Sequence, residues 1–140
     1  MRRLLYLTPL LPLLLAAPLA AAGSWNRIGG DAEALLLLDK ASVRSSGKGF
    51  KAATMLSYRK AQSTPDGKQY LSVKSTHLYH CEESMVTLLA QDYYAGVLGR
   101  GEPVGSYKYE SYDPEMPGAV LAAAMQAVCK GRKSAPGKGG

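Results

Sequence analysis

The two cysteines limit the possible folds of this chain more than any other feature of its sequence. Cys81 and Cys129 lie 48 positions apart. Cys81 ends a segment with strand character, whereas Cys129 ends a segment with helix character. Because the beginning of the chain has the pattern of an export signal, we expect the pair to form one disulfide in an oxidising compartment. That bond would tether a C-terminal helix to a β-sheet.

Residues 1–22 have the pattern of a signal peptide. Arg2 and Arg3 supply the positive charge, residues 4–19 are mostly apolar, and three alanines at 20–22 suit cleavage by signal peptidase. An uncleaved membrane anchor is disfavoured because three prolines interrupt a stretch that is short for a bilayer span of about 20 residues. The cleavage point lacks a cysteine for lipid attachment. We therefore expect an exported protein, periplasmic or secreted rather than displayed on the cell surface, without a stable membrane anchor.

The rest of the chain suits a single domain, which we place at residues 23–130. The formal net charge is +6, yet all 11 acidic residues lie between Ser24 and Cys129, where lysine and arginine also number 11. Much of the excess positive charge lies in a glycine- and lysine-rich tail, residues 131–140. We expect this basic tail to be disordered, because it has too little apolar surface to bury. A neutral domain argues against nucleic acid as a partner.

Apolar runs separated by turn residues predict a sheet of about six strands. Residues 35–38 are all leucine, which suggests burial on both faces, whereas residues 50–58 alternate and indicate a half-buried antiparallel strand. Pro65-Asp66-Gly67 predicts a tight turn between that strand and the next. The predicted strands cover residues 25–28, 34–39, 50–58, 69–81, 85–94 and 104–109. Their short connections predict an antiparallel meander.

One helix is predicted after the sheet, over residues 119–129. Its apolar residues recur at helical spacing and form one stripe, made of Leu121, Met125, Val128 and Cys129. Alternation along the strand 69–81 places a second set on one face, made of Leu71, Val73, Ser75, His77, Tyr79 and Cys81. We expect the helix to cover that face. The predicted class is α+β, an antiparallel sheet with one C-terminal helix.

From Trp25 to Cys129 the sequence resembles the surface-adhesin protein E-like family of bacterial envelopes. The shared elements are Trp25, a strand ending at Asp39 with Ser42-Val43 after it, a Lys74-Ser75 strand ending at Cys81, Tyr93-Tyr94, a turn through Gly99 and Gly101, and Pro117-Gly118 before a helix ending at Cys129. The resemblance implies a sheet of about six strands with a disulfide-tethered helix. It also implies a small binding module.

Patterns that carry catalysis or bind metal are missing from the sequence. His77 and His80 are an odd number of residues apart, so on a regular strand they face opposite sides and cannot share a metal. Glu82 and Glu83 are adjacent in a turn, where carboxylates are usually solvated. A disulfide between the cysteines leaves no thiol nucleophile. We therefore expect a non-enzymatic protein with no catalytic residue, metal or cofactor.

Tyrosines are the best candidates for contact with a partner. Tyr107, Tyr109 and Tyr112 fall in or just after the last predicted strand, and exposed tyrosines are favoured in recognition surfaces. The alternative is that they are ordinary half-buried strand residues. Lys108 is the only lysine between Val104 and Tyr112, so little protects this edge from pairing with another strand. A homodimer through the edge strand is therefore one expected assembly.

Two classes of function remain open. The first is a binding module that recognises a protein or envelope polymer. The second is a structural or accessory periplasmic protein without host-binding activity. The residues of the sequence do not identify the ligand.

Overall fold

A computed structural model describes residues 24–110 and 113–130. The predicted signal peptide and basic tail lie outside these residues. The strands are β1 (Trp25–Gly30), β2 (Ala34–Asp39), β3 (Arg44–Ser46), β4 (Gly49–Ser63), β5 (Gln69–His80), β6 (Met85–Tyr94) and β7 (Pro103–Lys108), and the helix is α1 (Ala119–Cys129). The sheet order is β1-β2-β4-β5-β6-β7, and every pair is antiparallel. The predicted class and meander are confirmed.

The short strand β3 is an addition to the predicted six. It pairs with the start of β4, with Ser46 opposite Gly49. The chain reverses through Gly47, whose φ of 57° is a left-handed value that favours glycine. Residues 44–49 therefore begin a small hairpin that extends one side of the sheet.

The long strand β4 is buried on both faces, which corrects the half-buried strand expected from its alternating pattern. Phe50 and Ala52 face α1, whereas Ala53 and Met55 on the other face are also buried, at 5% and 3% exposure. Two segments cover that other face, the 3₁₀ turn Lys40–Ser42 and the loop of residues 96–101. Alternation within β4 could not predict the cover, because two segments outside the strand supply it.

The helix α1 packs on one face of the sheet, as predicted. Its residues Ala124, Met125 and Val128 join a buried cluster with sheet residues that include Phe50 and Tyr79. Leu121 and Cys129 of the predicted stripe are partly buried beside the same cluster. Residues of this cluster supply the continuous apolar core that holds the helix on the sheet.

The disulfide and a backbone bridge fix the two ends of the helix. Cys81 and Cys129 are bonded, with their Cα atoms 5.7 Å apart. Before the helix, Glu115 exchanges two backbone hydrogen bonds with Val86 of β6, at 2.8 and 2.9 Å. The helix is therefore held at both ends and leaves the far part of its sheet face uncovered.

Candidate partner-binding site

The part of the helix-side face that α1 leaves uncovered carries four tyrosine rings in a row. Neighbouring ring centroids are 6.0 Å apart for Tyr58 and Tyr70, 4.6 Å for Tyr70 and Tyr93, and 5.6 Å for Tyr93 and Tyr107. All three pairs meet edge to face, the arrangement that aromatic quadrupoles prefer. We call these four residues the tyrosine row. It crosses β4, β5, β6 and β7. Tyr93 is buried, at 7% exposure, and the other three rings are partly exposed.

Hydrogen bonds fix the tyrosine hydroxyls at the β7 end of the row. Tyr107 donates to Asp66 Oδ1 at 2.9 Å, and Asp66 lies in the β4–β5 turn. Tyr109 and Tyr93 both donate to Gln91 Oε1, at 2.9 and 3.0 Å. These bonds hold the rings in one orientation before any partner arrives.

The hydrogen bond between Tyr107 and Asp66 also changes the acidity of both groups. The Thr64 hydroxyl and then the Tyr107 hydroxyl lower the pKa of the Asp66 carboxyl, because both donate to it. The same hydrogen bond raises the pKa of Tyr107, because the ionised hydroxyl could no longer donate a hydrogen bond to Asp66. At neutral pH, Asp66 is therefore an anion and Tyr107 a neutral donor.

The three tyrosines predicted as partner contacts are only partly placed by the structure. Tyr107 and Tyr109 lie two residues apart on the same face, and both are partly exposed. Neither belongs to the core cluster under α1. Tyr112 lies outside the described residues. Use of these tyrosines as contacts stays a prediction.

The sequence did not reveal that Tyr58, Tyr70 and Tyr93 lie in a row with Tyr107. The Tyr58–Tyr70 contact depends on a register shift between Ser57 and Gln62, which alternation does not reveal. The pairing of β6 with β7 does follow from the meander. The available signal for this row was the presence of a tyrosine on each of β5, β6 and β7.

The strand β7 is an edge of the sheet. Tyr109 donates its backbone N–H to Leu89 of β6 at 3.0 Å, and the register carries this pairing to Tyr107 opposite Gln91. Because backbone groups alternate in direction along an antiparallel strand, those of Ser106 and Lys108 point away from β6. The outward groups are available for pairing with another strand.

A cavity of about 490 Å³ separates the β7 end of the row from the helix. Its lining is largely apolar and includes Leu56, Leu88 and Leu121, with His77 among its polar residues. His77 is 6% exposed, and its Nδ1 has no hydrogen-bond partner among the residues that the structure describes. Burial lowers the pKa of His77 to about 4, so the ring is neutral at neutral pH.

The buried His77 should make the fold sensitive to acid. Its pKa is about 4 in the folded state and about 6.5 when exposed, so the unfolded state takes up a proton first as pH falls. The contribution of neutral His77 to the free energy of unfolding is fully present above pH 6.5 and is lost as pH falls from 6.5 to about 4. The expected total loss is about 3 kcal/mol.

Urea unfolding of wild type and His77→Gln at a series of pH values measures this effect. The wild-type free energy of unfolding should fall in that window more steeply than that of His77→Gln. His80→Gln is the matched control, since His80 is only half-buried and its Nε2 lies 2.9 Å from the Thr87 hydroxyl. Parallel curves for wild type and His77→Gln would show that this histidine does not titrate as described.

Residues 24–110 and 113–130 contain neither a metal-binding cluster nor a helix suited to cross a membrane. No cluster of three or more His, Cys, Asp or Glu side chains there is arranged to hold a metal ion. No helix in this part of the chain has the length and apolar character that a bilayer span requires.

Comparison with known proteins agrees with this architecture. The model of the family described as Surface-adhesin protein E matches residues 25–130. The structure of Haemophilus influenzae protein E is 18% identical, with a TM-score of 0.53, over 82% of this chain and 90% of that one. Its crystal form II is 16% identical, with a TM-score of 0.55, over 76% and 87%. A comparison with curated protein sequences finds no match.

At this identity the solved structures share the fold with this chain, and the family match rests on the sequence itself. The match spans the whole sheet, both cysteines and α1. The chain belongs to the Surface-adhesin protein E family.

Proposed function

We propose that this protein is an exported, non-enzymatic binding module of the bacterial envelope. It would recognise a protein or polymer partner through the tyrosine row and the β7 edge. The observation that carries the proposal is the row itself, four rings held edge to face on a part of the sheet that α1 does not cover. Rings that are already ordered lose little entropy on binding, which makes them effective contact residues.

The β7 edge adds a second mode of contact. An extended segment pairing with the outward groups of Ser106 and Lys108 would lie beside Tyr107. The same geometry supports a homodimer in which two β7 strands pair. Lys108 is the only lysine on this strand to oppose such pairing.

A structural or accessory periplasmic role is the second candidate, and one observation favours it. The hydroxyls of Tyr107 and Tyr109 are bonded inside the molecule, to Asp66 and Gln91. Tyrosines used in this way brace the late strands of the sheet. Under this alternative, loss of a ring would lower stability and leave association unchanged.

The substitution Tyr107→Ala separates the two roles. Recognition through the row predicts a partner affinity at least about tenfold weaker, because a contact tyrosine is often a hot spot. The thermal midpoint should change little, since the side chain is partly exposed. The measurements are capture from envelope extract, sedimentation of the purified protein and thermal unfolding.

Tyr107→Phe is the matched control because it keeps the ring and removes only the bond to Asp66. It should retain association. A lower thermal midpoint for Tyr107→Ala with unchanged capture and unchanged sedimentation would reject recognition and support the bracing role.

A further inference from the structure

The sheet face opposite α1 carries a groove of about 540 Å³ with aromatic walls. Trp25 of β1 and Tyr94 of β6 line it, and Lys74 of β5 and Arg100 of the 96–101 loop supply two cations. Asp39 is the carboxylate among its described lining residues. We call these five residues the Trp25 groove. Nothing in the tyrosine row contributes to it.

The floor of the groove is set by strand register. Leu37 lies opposite Met55, and Met55 lies opposite Lys74, so the three side chains form a row across β2, β4 and β5. Trp25 lies opposite Asp39 at the outer edge of the same face. The aromatic wall on β1 therefore faces the lysine on β5 across an apolar floor.

Two buried serines hold the loop that forms the opposite wall. Leu98 donates its backbone N–H to Ser57 Oγ at 3.0 Å, and Gly99 donates to Ser72 Oγ at 2.8 Å. Leu98 has a φ of 54°, a strained value for leucine, and its side chain remains 41% exposed in the groove wall. The loop thus keeps an apolar side chain and Arg100 beside the groove.

Neither Lys74 nor Arg100 forms an ion pair with another described residue. In the described part of the chain the one ion pair joins Lys68 to Asp66, at 3.7 Å. Lys74 therefore makes no ion pair, although Asp92 lies opposite it on β6. Asp39 Oδ1 already accepts the Ala41 N–H at 3.1 Å.

A neighbouring depression of about 430 Å³ extends this positive surface. It shares Asp39 and Lys74 with the groove and adds Arg44 and Lys51. The two hollows together present four cations and one carboxylate along one face. This charge is local, since the domain between Ser24 and Cys129 is neutral.

We propose that the Trp25 groove binds an acidic oligosaccharide, as a segment of a carboxylated polysaccharide. The apolar C–H face of a sugar ring packs well on aromatic rings, and Trp25 and Tyr94 line the groove with partly exposed side chains. Carboxylates along the sugar chain would pair with Lys74 and Arg100, and Arg44 and Lys51 would continue the track. The volume of the groove suits a short segment of such a chain.

Nucleic acid is the competing polyanion, and the charge distribution argues against it. Nucleic-acid binding usually rests on many phosphate contacts and on a strongly basic domain. This domain is neutral, and of its lysines and arginines Lys74 and Arg100 line the groove.

Trp25 provides a direct test because it is the only tryptophan in the chain. Its emission is measured while the full protein is titrated with oligogalacturonate at low salt. We expect a saturable change in emission that weakens as salt is added. Lys74→Gln combined with Arg100→Gln should weaken the apparent affinity about tenfold or more, since it removes two charged contacts. Arg100→Gln alone, at an exposed residue, should weaken it in the same direction.

Arg59→Gln combined with Lys60→Gln is the matched control, since it removes the same charge from exposed residues outside the groove. It should bind like wild type. Neutral dextran should leave the emission unchanged. The proposal is overturned by no response to oligogalacturonate, by equal losses in the two double variants, or by equal affinity for single-stranded DNA of matched charge.

Discussion

Replacing Cys81 and Cys129 with serine is expected to lower the free energy of unfolding by about 4 kcal/mol. The bond joins residues 48 positions apart and closes a long loop, which restricts the conformations of the unfolded chain. The sulfur atoms also join the end of α1 to the end of β5. Urea unfolding of wild type and of the double variant measures the loss.

The structure also predicts which part of the molecule responds to this change. Helix α1 should exchange its amide protons faster in the double variant, whereas the β4–β5 hairpin should remain protected. Reduction of the wild-type disulfide should reproduce the result. A double variant as stable as wild type, or free thiols in the unreduced wild-type protein, would contradict this role for the bond.

The architecture was largely predictable because its signals are local. β2, β6 and α1 begin and end at the predicted residues. The leucine run in β2 and the helical stripe in α1 each specify one element without help from distant residues. The predicted export signal then favoured a disulfide between Cys81 and Cys129.

The cover on the outer face of β4 was not predictable from the same signals. It depends on Ser57 and Ser72, which are small polar residues with no hydrophobic pattern. Their burial is explained only by the loop amides of Leu98 and Gly99 that they bind. Such pairings join residues 41 and 27 positions apart, beyond the reach of local periodicity.

The candidate sites show the same division. Tyr107 and Tyr109 were identified by residue type and by their place on a late strand. The tyrosine row and the Trp25 groove depend on register across several strands, including the shift between Ser57 and Gln62. Residue type therefore identifies candidates, and register decides which of them meet.

Replacing Tyr79 with alanine is expected to lower the free energy of unfolding by about 3–5 kcal/mol. Its side chain is 0% exposed and belongs to the core cluster with Phe50, Val86 and Val128. Removal of the ring leaves a cavity between α1 and the sheet. The surrounding side chains are closely packed and can relax only partly into it. Urea unfolding monitored by circular dichroism measures the loss.

Tyr79→Phe is the control that separates packing from hydrogen bonding at this position. Burial raises the pKa of Tyr79 to about 12. In the described part of the chain no partner lies in hydrogen-bonding geometry with its hydroxyl, although the Thr54 side chain is close. Removing an unsatisfied buried hydroxyl releases its desolvation cost, so Tyr79→Phe should stay within about 1 kcal/mol of wild type or exceed it. If Tyr79→Phe were as damaging as Tyr79→Ala, the hydroxyl would be essential, and packing of α1 against this ring would not be what stabilises the fold.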